Sequence, residues 1–142
     1  MSLVHFCQKP LVKVSPNCVI TEACRLMEHN NVGCLVAEQD GKLRGIVTDR
    51  DIALKVAGAQ RDPRATRVED IMTRDPVWIS VNSDLHHLTA LMHAYHVRRV
   101  PIVDGSDTAL GIVTMDDLIA LLSEEMSEIG KAISEEFQRG NA

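Results

Sequence analysis

Two stretches of the chain place a threonine three residues before an aspartate: GIVTDRD, Gly45 to Asp51, and GIVTMDD, Gly111 to Asp117. At the start of a helix, that spacing suits a capping box, in which hydroxyl and carboxylate satisfy backbone amides. Asp49 and Asp116 fit the same role, since acidic groups in a first turn complement the helix dipole. The same groups could instead meet a ligand. A helix amino terminus attracts phosphate, the threonine hydroxyl can bond a phosphate oxygen, and the carboxylate can accept from both hydroxyls of a ribose. Two copies of one fold need two caps, so repetition alone favours neither reading. The stretch VRRVPIVD tips the balance, because Arg98 and Arg99 set two guanidinium forks at the start of a strand, a chemistry suited to phosphate. Their alternative is ordinary surface ion pairing. Arg50 could also reach an anion, but reads first as a solvated helix-face residue.

These residues sit in a sequence that repeats itself. Val12–Asn17 matches Val77–Asn82 at an offset of 65, as do Leu26-Met27 with Leu91-Met92. One added turn residue shifts the offset to 66 for Gly45/Gly111, Thr48/Thr114 and Asp51/Asp117. Each copy reads as strand, helix, strand, strand, helix. Strands are expected at Val12–Ser15 and Val77–Val81. Apolar residues at helical spacing follow in both copies, with Cys18 and Ser83 at the expected N-cap positions. Asp40-Gly41 predicts a tight hairpin of type I′, and Asp104–Asp107 a longer turn. The fold class is therefore α/β (α+β), two βαββα repeats packed through their sheets with pseudo-two-fold symmetry. Residues 1–62 form the first repeat with its lead-in and 63–142 the second, with polar residues 58–67 as linker.

The second copy outruns the first. Leu118, Leu122, Met126, Ile129, Ile133 and Phe137 recur every three to four residues along an expected long helix, either packing on their own domain or meeting a partner chain. Composition narrows the classes further. At 142 residues with 45% hydrophobic content, the chain is of ordinary domain size. Only Phe6, Trp78, Tyr95 and Phe137 are aromatic, so the core is expected to be aliphatic. A net charge of −5 argues against a nucleic-acid surface. No stretch resembles a signal peptide or a membrane span. The four cysteines (Cys7, Cys18, Cys24, Cys34) lie in the first quarter without a CxxC pair, which suits reduced thiols in a cytoplasm.

The marks VKVSPN, NNVGCLVAEQDGKLRGIVTDRDI, RVEDIMTRDPVWIS and YHVRRVPIVDGSDTALGIVTMDDL together resemble a tandem pair of cystathionine-β-synthase-type (CBS) domains, a Bateman module, over nearly the whole chain. The resemblance implies a stand-alone sensor that binds an adenosine-containing ligand in clefts between repeats. AMP, ADP or ATP is expected, with NAD or S-adenosylmethionine as further candidates, and no cofactor is required. It further implies pairing into flat homodimers, with the downstream protein partner unknown. By this resemblance, the stronger cleft takes Thr48 and Asp51 for phosphate and ribose. Val68, Ile71 and Met72 line the adenine, and Arg98 and Arg99 meet the phosphates, with Arg50 nearby. The weaker cleft takes Thr114 and Asp117, with Gly33 and Cys34 where the other copy has Arg98 and Arg99.

Other chemistry finds less support. His93 and His96 could supply half of a metal site, but no further ligand is evident, so no metal is expected. No G-x-S-x-G, phosphate loop or separate acid–base pair marks an enzyme. Cys34 reads as a buried strand cysteine rather than a nucleophile. The main alternative is a structural homodimerisation module whose clefts are empty.

Overall fold

The computed structural model describes residues 2–140, so positions 1, 141 and 142 of the expected repeats lie outside the described residues. The chain divides into two compact units, one ending at Ile112 and one starting at Val113.

In the first unit, β1 (Lys13–Val14) leads to helix α1 (Ile20–Asn30), then to β2 (Cys34–Gln39) and β3 (Lys42–Thr48). The β2–β3 hairpin turns on Asp40 and Gly41, both with positive φ (53° and 75°), as a type I′ turn demands. Beyond β3 come the short α2 (Asp49–Ile52) and a π-helical turn, Ala53–Ala57. Helix α3 (Val68–Ile71) and β4 (Thr73–Arg74) follow, and β4 completes a sheet in the order β1-β2-β3-β4. β1 runs parallel to β2, while β3 runs antiparallel to both β2 and β4. The second sheet orders β5 (Ile79–Ser80), β6 (Arg99–Val103) and β7 (Ala109–Thr114), with helix α4 (Leu85–Tyr95) between β5 and β6. Helices α1 and α4 both stop on a left-handed residue, Asn31 and His96, so the repeat extends to its caps.

The core of the first sheet is aliphatic, from Val14, Ile20, Leu35 and Val47 to Val56, Val68, Ile71 and Met72. Three of these come from beyond the first copy, so the lead-in of the second copy completes the core of the first. The repeated glycines show why. A Cβ on Gly45 would lie 2.5 Å from Met72 Sδ and 2.8 Å from the Thr73 carbonyl oxygen. A Cβ on Gly111 would meet Cys7 Cα and the Phe6 carbonyl oxygen at 3.0 Å each. Each repeat thus lays its lead-in against the glycine of the other.

Two local expectations are corrected. Asp84 rather than Ser83 caps α4, its carboxylate accepting from the His87 amide at 2.8 Å, while Ser83 bonds His87 Nδ1 at 2.7 Å. Val19 rather than Cys18 precedes α1 and offers no side-chain cap. Its place is taken by backbone: the Ile20 and Thr21 amides donate to the carbonyls of Thr66 and Pro63, at 2.9 and 3.1 Å. The polar linker is thereby tied down, with Thr66 itself buried.

The second unit is dominated by helix α5 (Met115–Gln138), 24 residues long. No helix among the described residues is long and apolar enough to cross a membrane.

Candidate functional site

Thr48 ends β3 and caps α2. Its Oγ1 accepts from the Asp51 amide at 3.1 Å, and its own amide donates to Asp51 Oδ2 at 3.0 Å. Thr114 and Asp117 form the same box at the same distances, 3.1 and 3.0 Å. The capping reading of both motifs is therefore satisfied. Capping leaves chemistry to spare, because the Thr48 hydroxyl proton is still available to donate and a carboxylate oxygen can accept twice.

Asp51 is further held by Lys55, whose Nζ lies 3.2 Å from Oδ1 and donates to the Ile71 carbonyl at 3.0 Å. The π-helical turn carries Lys55, and such turns are frequent at functional positions. One ammonium thus joins the carboxylate of one wall to the backbone that leads into the other.

Thr48 and Asp51 open into a cleft of about 380 Å³, within the range of small-ligand sites. Its walls are Ile46, Thr73, Asp75, Pro76, Val77 and Val97, together with Arg98 and Arg99. The two arginines, Thr48 and Thr73, and the carboxylate residues Asp51 and Asp75 therefore line one cleft together with an apolar surface. Asp75 takes a positive φ of 44°, uncommon outside glycine, which turns the chain from β4 into the Pro76-Val77 wall.

The structure brings together four of the residues singled out from sequence, Thr48, Asp51, Arg98 and Arg99. It does not bring Val68, Ile71, Met72 or Arg50 to this cleft. Val68 and Ile71, three apart on a four-residue helix, both turn into the core, and Met72 is buried with them. Arg50 is exposed on α2. The apolar wall comes instead from Ile46, Pro76, Val77 and Val97, which the sequence reading missed. No local signal marked them: Asp75, the residue before Pro76, is left-handed, where a proline ordinarily holds its predecessor extended.

Gly33 and Cys34 also lie in the first unit, near this box. The Asp49 amide donates to the Gly33 carbonyl at 3.0 Å, and a Cβ on Gly33 would lie 2.9 Å from Asp49 Oδ2. Cys34 is the β2 partner of Thr48. Burial pushes its thiol up to about 11, with Asp51 and Asp49 adding to the rise and the adjacent Arg99 opposing it. It is a neutral thiol, not a nucleophile. Among the described residues, no three His, Cys, Asp or Glu side chains cluster as a metal would need, and His96 serves as the C-cap of α4.

Comparison with known proteins gives this arrangement a family. The family model of the CBS domain matches residues 4–58 and 68–124. A CBS domain-containing protein of Bacillus subtilis, YhcV, is 41% identical over 105 residues, covering 74% of each chain. Among solved structures, the CBS domain pair of protein MJ0100, in complex with 5′-methylthioadenosine and S-adenosyl-L-methionine, superposes with a TM-score of 0.76 at 28% identity. It covers 88% of this chain and 98% of that one. A hexameric CBS-CP12 protein from bloom-forming cyanobacteria gives a TM-score of 0.74 at 26% identity, covering 84% of this chain and 66% of that one. With both repeats matched, the chain belongs to the CBS domain family as a tandem pair.

Proposed function

We propose that this protein is a regulatory module that binds an adenine nucleotide (AMP, ADP or ATP) in the cleft of Thr48 and Asp51. The observation that carries this reading is the convergence of Thr48, Asp51, Arg98 and Arg99 on one cleft with an apolar wall. A planar base suits Ile46, Pro76 and Val77. The ribose hydroxyls suit the lone pairs of Asp51 left over from Thr48 and Lys55. The phosphate suits the two arginines and the Thr48 hydroxyl. The bound adenosyl compounds of the MJ0100 domain pair support the ligand class. S-adenosylmethionine and NAD share the adenosine contacts, but lack the terminal monoester that two arginines would favour.

The module is read as non-catalytic and cytoplasmic, a homodimer that converts occupancy into altered packing or dimer contacts for a downstream protein. A structural homodimer with empty clefts is the second reading, favoured by the completeness of both capping boxes. A thermal-shift screen against AMP, ADP, ATP, NAD, S-adenosylmethionine and GTP separates the two. Ligand at a hundred times its dissociation constant adds about 2.7 kcal/mol, a shift of several degrees. A response confined to adenine compounds supports the sensor. Silence at millimolar concentrations, with pre-bound ligand excluded by mass spectrometry, supports the structural dimer.

A further inference from the structure

Trp78 is the single tryptophan of the chain and keeps 52% of its surface in water. It lines a second cavity of the first unit, of about 300 Å³, together with the apolar Leu43, Pro76 and Val103. Four charged residues line the same cavity: Lys42, Arg44, Asp75 and Asp107. Among the described residues, none of these four is ion-paired. Two cations and two carboxylates thus stand around a half-bare indole without neutralising one another.

This cavity is separate from the nucleotide cleft, although Asp75 and Pro76 line both. Lys42 and Thr48 are the two ends of β3, about 20 Å apart at the rise of a strand. Successive residues serve opposite sides, Val77 lining the cleft and Trp78 the cavity. The cavity wall is built by an irregularity. Ala37 pairs with Gly45 but Glu38 with Leu43, so Arg44 is an extra residue with no opposite number on β2. Such a bulge re-aims side chains, and here three consecutive residues, Lys42 to Arg44, line one cavity. The backbone behind the carboxylates is held as well. Asp104 Oδ1 accepts from the Ser106 and Thr108 amides at 2.7 and 3.1 Å, which fixes the turn that carries Asp107. The Leu43 amide donates to the Asp107 carbonyl at 3.0 Å, and the Asp75 amide to the Arg44 carbonyl at 3.1 Å. A ligand would therefore order side chains rather than loops, which lowers the cost of binding.

We propose that this cavity binds a free aromatic α-amino acid. Charge selects the class. A simple anion would meet two carboxylates along with the cations, and a simple cation would meet the reverse. A zwitterion satisfies both sets, its carboxylate on Lys42 and the Arg44 guanidinium, its ammonium on Asp75 and Asp107. An aromatic side chain can then stack on the Trp78 indole beside Leu43, Pro76 and Val103. The volume is at the lower end for small-ligand sites and suits one such molecule. This input does not depend on the nucleotide reading.

Trp78 itself reports occupancy, since no second tryptophan contributes to the fluorescence. Titration of the full chain with L-phenylalanine, excited where only tryptophan absorbs, is expected to give a saturable change with a submillimolar midpoint. Phenylpropionate lacks the ammonium, phenethylamine lacks the carboxylate and L-leucine lacks the ring. Each is expected to bind at least about tenfold more weakly. Arg44→Gln and Asp107→Asn should each weaken L-phenylalanine by about three- to tenfold, with unchanged circular dichroism. Both residues are exposed, and asparagine tolerates the left-handed backbone of Asp107, φ 63°. The absence of a saturable change at millimolar L-phenylalanine overturns the site. Equal binding of either singly charged analogue overturns the zwitterion assignment, and equal binding of L-leucine overturns the aromatic one. Affinity unaltered in both variants overturns the placement.

Discussion

Lys55 Nζ lies 3.2 Å from Asp51 Oδ1, and the same ammonium donates to the Ile71 carbonyl at 3.0 Å. The contact fixes the free edge of a carboxylate that Thr48 holds from the other side, and ties it to the segment leading into Thr73 and Val77. Lysine here acts by position, since it does not line the cleft.

Replacing Lys55 with methionine keeps the stem and removes the clamp. The pair is partly exposed, so its loss should cost little stability. AMP affinity should fall by about three- to tenfold with nearly unchanged melting temperature, and Lys55→Arg should restore most of it. Calorimetric titration of the three proteins reads this directly. Unaltered affinity in the methionine variant would show that Asp51 needs no such support.

Gly45 is where the lead-in of the second repeat packs tightly on the first. Gly45→Ala would force its methyl group against Met72 Sδ and the Thr73 carbonyl oxygen. A destabilisation of about 1–3 kcal/mol is expected, together with weaker nucleotide binding as the Thr73–Val77 wall shifts. Gly130→Ala is the control, because it meets open space in a helix interior and should gain up to about 1 kcal/mol. Thermal denaturation of both variants checks the contrast. Equal melting temperatures would contradict the packing described.

Much of the fold was legible in the sequence because the chain states it twice. Offsets of 65 and 66 located the strands, the two boxes and the hairpins. Those features depend on local spacing, which a sequence displays. The apolar wall of the cleft was not legible in the same way. Val68, Ile71 and Met72 are apolar and near the right place, but three-residue spacing on a short helix turns them into the core of the first sheet. The wall residues Pro76 and Val77 depend on a left-handed Asp75, which no periodicity reveals. The caps failed for a related reason. At α1, backbone carbonyls 42 and 46 residues away replace the side-chain cap, a long-range substitution hidden from local rules.

Cys34 gives a pH signature. Burial is the main cause of its rise from an ordinary 9.0 to about 11, so the folded chain keeps a proton that the unfolded chain releases near pH 9. Stability from this source is complete below pH 9 and is lost as pH climbs towards 11. Cys34→Ala should therefore lose less stability than the parent between pH 9 and 10.5 in denaturant titrations. Alkylation at pH 8 should label the exposed Cys24 well before Cys34. Early labelling of Cys34 would mean that its thiol is not sheltered.

The central claim, that Thr48, Asp51 and the two arginines form an adenine-nucleotide site, is tested most directly by calorimetric titration of AMP into the parent protein and into Arg99→Ala. Arg99 is exposed at the cleft, so the variant should fold normally. The expected result is saturable binding by the parent and at least about tenfold weaker binding by the variant, a loss of about 1.4 kcal/mol. No heat of binding in the parent, or equal affinities in the two proteins, would contradict the claim.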